Sequence, residues 1–166
     1  MQHKGLIDAA DHNTATGVGG VPVLCATPMV HPGKSEITRE DIAVLVAGFY
    51  TRVRADARLG PIFERKIGKT DAEWQPHLRK IEAFWANVML HERAYRGNPM
   101  QAHLAVAAIE TGHFAIWLDL FEATARDLLP ESKAAAFNTL ARRIGSSLSM
   151  GIEQARGGAV PRLSRP

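Results

Sequence analysis

Apolar residues recur every three or four positions from about residue 38 to residue 154, which is the period of an amphipathic helix. The pattern opens with Thr38-x-x-Asp41, a spacing typical of a helix N-terminus, where the two side chains accept hydrogen bonds from each other's backbone N–H groups. The stripe that follows comprises Ile42, Leu45, Val46, Phe49, Tyr50 and Val53. These positions predict a first helix with one buried face.

Four more helices are predicted along the rest of this stretch. Thr70-x-x-Glu73 opens a helix striped by Trp74, His77, Leu78, Ile81, Phe84, Trp85, Val88 and Met89. A short helix is expected within residues 98–108. Thr111 is predicted to cap the next, striped by Phe114, Trp117, Leu120, Phe121 and Leu128, and Pro130 to start the last, striped by Phe137, Leu140, Ile144, Leu148 and Ile152. Residues 59–68 indicate a turn with Ile62 and Phe63 buried, and no segment alternates like a strand, so the predicted fold class is all-α.

The ends of the chain have a different composition. Residues 1–37 are dense in Gly, Pro and Thr and show no helical or strand period, so we expect an irregular or disordered extension. Residues 155–166 carry Arg156, Arg162 and Arg165 and are expected to form a flexible basic tail. A total of 166 residues suits one domain, which we place at residues 38–154.

Charge and cysteine usage exclude several classes of protein. Residues 38–153 carry 15 Lys and Arg against 14 Asp and Glu, without a basic stripe interleaved with aromatics, so nucleic-acid binding is not expected. The single cysteine, Cys25, excludes an internal disulfide framework and fits a reducing, cytoplasmic compartment. No apolar run is long enough to span a membrane, so we expect no membrane-spanning helix.

Four residues with polar tips lie on otherwise apolar helix faces: Tyr50, His77, His103 and Trp117, one on each of four helices. Each alone is compatible with a core residue whose polar tip meets a backbone carbonyl. Zinc is disfavoured because a structural zinc ion needs four closely spaced ligands. Together the four residues indicate a shared cavity with a polar occupant, and a haem, whose iron takes one imidazole nitrogen, would meet that need.

The other histidines are weaker candidates. His91 lies between two predicted helices beside charged residues and is expected at the surface. His113 lies in the first turn of its helix and is expected to cap it or to face solvent. His3, His12 and His31 fall in the irregular extension.

Four blocks of the chain resemble the truncated haemoglobins, specifically their group III. They are FYTRVRADARLGPIF, EWQPHLRKIEAFWANVML, YRGNPMQAH and HFAIWLDLF, in that order within residues 38–154. Their order along the chain is more specific than any one block. The extension before Thr38 and the Arg-bearing tail depart from a minimal member of that family, which puts the start of the mature chain in doubt.

The resemblance implies a two-over-two helical sandwich around protohaem (haem b). It implies that His103 is the proximal iron ligand, that Tyr50 and Trp117 are distal hydrogen-bond donors, and that Phe63 packs on the haem. His77 would be a distal residue able to gate the pocket. Trp85 is a further expected cofactor contact. The acidic edge of a haem requires Arg, Lys or Tyr partners, and the candidates are Arg79, Arg93, Tyr95 and Arg96.

Haem binding leaves the activity open. One hypothesis is a globin that reversibly binds dioxygen, nitric oxide or carbon monoxide. Another is an enzyme for nitric oxide dioxygenation or peroxide turnover, which would need a separate reductase because the chain carries no flavin or nicotinamide motif. A haem sensor is disfavoured because no output domain is attached, and a cofactor-free helical bundle is the remaining alternative.

Overall fold

The computed structural model describes residues 36–157, which form six helices. They are α1 (Arg39–Ala55), α2 (Gly60–Ile67), α3 (Asp71–Met89), α4 (Pro99–Leu104), α5 (Thr111–Leu128) and α6 (Glu131–Ala155). No strand occurs among residues 36–157, which confirms the all-α prediction. The expectations for residues 1–35, including Cys25, and for the tail beyond Gly157 fall outside the described residues.

Both predicted capping boxes are present. The Thr38 hydroxyl accepts a hydrogen bond from the Asp41 N–H at 3.2 Å, and the Asp41 carboxylate accepts from the Thr38 N–H at 2.7 Å. Thr70 and Glu73 repeat this exchange at the start of α3, at 3.3 and 2.9 Å. Each box satisfies N–H groups that the first turn of a helix otherwise leaves without partners.

Two details of the predicted helices were wrong. Gly60–Ile67 is a helix rather than a turn, because the Asp56 carboxylate accepts from the N–H groups of Arg58 and Leu59, both at 2.9 Å, and Pro61 presets a helical φ in the first turn. The cap of α5 is Glu110 rather than Thr111. The Glu110 N–H donates to Nδ1 of His113 at 2.9 Å, which confirms a capping role for that histidine.

The main core lies where α1 packs against α3 and α5, and α5 packs against α6. Its fully buried aromatic residues are Trp74, Phe49, Phe121 and Phe137. Arg142 of α6 binds Glu122 of α5 through two hydrogen bonds of 2.5 and 2.7 Å at the surface of this layer. Leu128, predicted on the buried face of α5, is instead 41% exposed: it contacts Gly48, but it is the last residue of the helix and is covered only in part.

A second, smaller core holds α4. Phe114, Leu148 and Ile152 are buried there, and Met100, Leu104 and Ile109 pack against them. Helix α4 contains no buried residue of its own, and the helix it packs on is α6.

The surface shows two further features. His91 is exposed, as predicted, and ends α3 with a φ of +58°, where the Glu92 N–H returns to the Ala86 carbonyl at 3.3 Å. None of the helices between residues 36 and 157 combines the length and the apolar character needed to cross a membrane.

Candidate cofactor cavity

A cavity of about 290 Å³ lies between the helices, and its walls are mainly apolar. Seven of the residues predicted to contact a cofactor line it: Tyr50, Phe63, His77, Trp85, Tyr95, His103 and Trp117. The eighth, Arg79, is exposed and does not line the cavity. The structure therefore brings together side chains from α1, α2, α3, α4 and α5, with Tyr95 from the α3–α4 connection.

His103 lies on α4 with its ring held in one orientation. The Asn98 side chain caps the helix by accepting from the Gln101 N–H at 3.1 Å, and Pro99 occupies the first helical position. Nδ1 of His103 lies 2.7 Å from the Pro99 carbonyl oxygen. Because a carbonyl can only accept, Nδ1 carries the proton, and Nε2 presents a free lone pair. Histidine ligands of metal ions are held by this same kind of contact.

Tyr50 and Trp117 place two donors in the cavity wall, one on α1 and one on α5. The rings of both lie edge-on to Phe49, with centroids at 5.0 and 5.2 Å, so one buried side chain positions the pair. Tyr50 is 5% exposed, and burial raises the pKa of its phenol well above the ordinary value, although the Trp117 indole beside the phenol oxygen lowers it. The phenol consequently keeps its proton at neutral pH and remains a hydrogen-bond donor.

His77 on α3 faces the same space. Its ring lies edge-on to Tyr50 with centroids 5.4 Å apart, and its Nε2 atom is buried without a hydrogen-bond partner among residues 36–157. Burial lowers the pKa of His77 to about 4, and the positive charge of Lys80 acts in the same direction. The imidazole is therefore neutral at physiological pH.

Phe63 is fixed by the corner between α2 and α3. It stacks on Trp74 with centroids 6.1 Å apart, and the Trp74 indole N–H donates to the Gly68 carbonyl at 3.0 Å. Arg54 covers the indole, with its guanidinium carbon 5.0 Å from the ring centroid, and ion-pairs with Asp71 at 2.6 Å. Gly68 has a φ of +120°, a conformation that other residues rarely adopt, so the tight corner depends on it.

Trp85 and Tyr95 form another part of the wall. Trp85 stacks on Phe121 at 5.1 Å, and Phe121 stacks on Trp117 at 5.2 Å, so the three rings form a column from α3 to α5. The Tyr95 ring lies over Gly97, where an added Cβ would collide with it, and packs edge-on against Phe84 at 5.4 Å. A glycine at position 97 is thus required for the close approach of Tyr95.

Sequence reasoning missed three ionisable residues of the cavity lining. Lys66 and Lys80 line it, each three positions after a cavity aromatic, Phe63 and His77 respectively. That spacing places each lysine on the same helix face as the aromatic, and it could have identified them. His113 also lines the cavity. Arg93 and Arg96, considered beside Arg79, are exposed and lie outside the lining.

The residues present fit a haem. The cavity offers one imidazole with a free Nε2, apolar and aromatic walls, and protonated phenol and indole donors. Across residues 36–157, no three His, Cys, Asp or Glu side chains come together as a metal-binding group.

Comparisons with known proteins agree with this chemistry. No family model matches the chain. A group 3 truncated hemoglobin of Campylobacter jejuni is 46% identical over 86 residues, which cover 52% of this chain and 68% of that protein. The crystal structure of group III truncated hemoglobin from Campylobacter jejuni superposes with a TM-score of 0.68 at 37% identity, covering 71% of this chain and 93% of that one. The chain thus belongs to the group III truncated haemoglobins.

Proposed function

We propose that the chain binds protohaem in the cavity through Nε2 of His103 and reversibly binds dioxygen and other diatomic molecules at the Tyr50 side. Membership of the truncated haemoglobins implies haem and small-ligand binding in general. The haem, when bound, supplies an iron atom with one position for a protein ligand and one for a diatomic molecule. We propose in addition that the cofactor is haem b, that dioxygen is among the ligands, and that the residues named here bind them.

The observation that carries the proposal is the hydrogen bond between Nδ1 of His103 and the Pro99 carbonyl. It fixes the tautomer, so that Nε2 is the only imidazole nitrogen able to bind a metal. The hydrogen bond to the carbonyl also raises the basicity of the imidazole, so Nε2 is a stronger electron-pair donor to a metal. His113 lacks this arrangement, since its Nδ1 accepts from the Glu110 backbone.

Tyr50 and Trp117 supply the contacts to a diatomic ligand. A dioxygen molecule that gains partial negative charge is stabilised by O–H and N–H donors, most strongly in a pocket with little water. Each such bond contributes about 1 kcal/mol, and more where the acceptor is charged. Both donors are protonated at neutral pH, so they remain available across the physiological range.

Lys66, Lys80 and Tyr95 support the choice of protohaem. Its two carboxylates require cationic or hydroxyl partners, and these three residues line the cavity. Arg79, exposed on α3 beside Lys80 in sequence, stays a candidate for the same contacts from outside the lining.

The proposal is tested by the absorption spectrum of the full chain reconstituted with haemin, measured for the wild type, His103→Ala and His113→Ala. His113 is a matched control because it is a second histidine in the same cavity. We expect one haemin per chain and a sharp Soret band in the wild type and in His113→Ala, and a lost or altered band in His103→Ala. Stoichiometric binding that is unchanged by His103→Ala would contradict the assignment of the ligand. A wild type that binds no haemin would contradict the proposed function.

His77 favours a second candidate, an enzyme for nitric oxide dioxygenation or peroxide turnover with a separate reductase. Its buried, unpaired Nε2 can accept a proton from a small acid such as hydrogen peroxide that enters the cavity. Turnover of nitric oxide or peroxide above that of free haemin, with a chemical reductant supplied and loss in His77→Leu, would support the enzyme. Equal rates for the protein and free haemin would exclude it.

A further inference from the structure

Helix α4 carries His103, yet its six residues include none that is buried. A helix this short has little stability of its own in water, so its position depends on contacts with other elements. Helix α4 packs mainly against α6, and Phe114 of α5 also belongs to the apolar cluster beneath it. The residues that make those contacts therefore determine where the imidazole lies.

The first contact is a seat formed by Met100 and Gly151. A Cβ added at Gly151 would meet Sδ and Cε of Met100, so the thioether lies directly on the α6 backbone. Around it, Leu104 and Ile109 pack against the buried cluster of Phe114, Leu148 and Ile152. The seat therefore holds the first turn of α4 against α6.

The second contact is made by Arg156, at the end of α6. Its guanidinium donates to the Val106 carbonyl at 3.1 Å and to the Ile109 carbonyl. Both carbonyls belong to the connection between α4 and α5. A planar guanidinium with several N–H groups can bind two carbonyls at once, which an ammonium group does less well.

A continuous set of hydrogen bonds joins Arg156 to His103. The Val106 N–H donates to the His103 carbonyl at 3.0 Å, and the Ile109 N–H donates to the Val106 carbonyl at 3.1 Å. Arg156 binds the two carbonyls of that turn, at Val106 and Ile109. Movement of the connection would therefore move the C-terminal end of α4, one residue from the imidazole.

We propose that Arg156 is a positioning residue for His103, acting through the α4–α5 connection and together with the Met100–Gly151 seat. Arg156 does not line the cavity, so it acts on the orientation of the imidazole rather than on the cofactor itself. This inference rests on the proposed function, since it requires that Nε2 of His103 binds the haem iron.

The test uses the haemin-loaded full chain and three variants: Arg156→Met, Arg156→Lys and the control Arg143→Met. Arg143 is an exposed arginine within α6, and its side chain makes no hydrogen bond or ion pair with any residue between 36 and 157. Two readouts report on His103: the iron–histidine stretching band of the ferrous protein, and the rate of haemin transfer to an excess of apomyoglobin. Thermal unfolding of each variant reports on overall stability.

For Arg156→Met we expect a shifted or broadened iron–histidine band and haemin loss about tenfold faster, since two hydrogen bonds to a charged group are removed. Arg156→Lys should recover part of both effects, and Arg143→Met should match the wild type. A wild-type band and wild-type haemin loss in Arg156→Met would overturn the inference while leaving the proposed function intact. A wild type without an iron–histidine band would overturn the proposed function instead.

Met100→Ala tests the other contact if Arg156→Met proves too unstable to study. It removes the seat and leaves the guanidinium contacts in place. We expect haemin loss about fivefold faster, again with a changed iron–histidine band, because the lost packing lets α4 shift. Unchanged values for both readouts would show that α6 does not position His103.

Discussion

The two walls of the cavity are built in different ways. The distal wall, formed by Tyr50, Phe63, His77 and Trp117, comes from helices that also make the main core. The proximal wall, formed by Pro99, His103, Val106 and Ile109, comes from a six-residue helix and the connection after it. Each distal aromatic contacts several other rings. Helix α4 has one ring contact, between His103 and Phe114 at 6.0 Å, and otherwise relies on a cap, a seat and the two carbonyl contacts of Arg156.

Because of this difference, we expect the distal wall to determine the stability of the fold and the proximal wall to determine how firmly the cofactor is held. Substitutions behind the distal wall should lower the free energy of unfolding, because they open the core. Substitutions around the proximal wall should leave most of that free energy intact and change how firmly the cofactor is held. A protein in which one element is weakly held can open there without unfolding as a whole.

The largest difference is expected between Phe49→Ala and Leu104→Ala. Phe49 is 1% exposed and contacts the rings of Tyr50, Trp117 and Phe121, so its loss should reduce the free energy of unfolding by about 4 kcal/mol. Half-buried Leu104 should cost about 1 kcal/mol. Urea unfolding of both variants measures the contrast, and equal losses would show that the two walls are equally supported.

The distal donors should control the release of dioxygen. Tyr50→Phe and Trp117→Phe each remove one donor and keep an aromatic ring, so each should speed dissociation about tenfold, and the double variant about a hundredfold. Stopped-flow displacement by carbon monoxide measures these rates. His113→Ala, which changes a cavity residue that is not one of the two donors, should leave the rate unchanged. Wild-type rates in both single variants would contradict the donor assignment.

His77 should make stability depend on pH. Its pKa is about 4 in the folded chain and 6.5 ordinarily, so below pH 6.5 the unfolded chain binds a proton that the folded chain does not. The free energy of unfolding is therefore fully present above pH 6.5 and falls as pH drops toward 4. The loss should be about 2 kcal/mol, because partial exposure of the ring screens the effect.

The pH effect is measured by urea unfolding of the haem-free chain at several pH values, with His77→Gln compared with the wild type. The substitution should remove this part of the pH dependence. The exposed His91 serves as the control, and His91→Gln should retain the wild-type slope. Identical slopes in all three proteins would show that His77 titrates normally.

The smallest contrast compares two helix caps. Thr70→Ala and Asn98→Ala each remove a side chain that accepts from a backbone N–H, at a cost of about 1 kcal/mol. Thr70→Ala on α3 should lower the melting temperature and leave haemin loss unchanged. Asn98→Ala on α4 should leave the melting temperature nearly unchanged and speed haemin transfer about fivefold. Haemin loss that responds equally to both would remove the distinction between the walls.

Sequence periodicity predicted the long helices because their buried faces span several turns. Thr38 and Thr70 marked the starts of two helices, and the stripes of α1 and α3 placed Tyr50 and His77 on inward faces. Helix α2 escaped prediction because eight residues show too little period and its N-cap, Leu59, has no capping side chain. The turn that leads into it is instead held by Asp56, which accepts from the Leu59 N–H. Local pattern is a weak guide where a helix is this short.

The cavity itself was only partly predictable. An aromatic or imidazole tip on an apolar stripe indicated Tyr50, His103 and Trp117, which do line the cavity. Lys66 and Lys80 look like ordinary surface lysines in the sequence, since long side chains can lie along an apolar wall from an exposed position. The contacts of Arg156 join residues about fifty positions apart, and no local pattern reports them.

The arrangement of aromatic residues gives the protein an optical property. All three tryptophans of the chain surround the same space: Trp85 and Trp117 line the cavity, and Trp74 stacks on Phe63, which also lines it. A haem so close would quench the fluorescence of the indoles, because energy passes from the excited indole to the haem before light is emitted. Intrinsic fluorescence should therefore be strong in the empty chain and nearly dark in the loaded one. Every exchange of the cofactor would then be visible in real time, without a label.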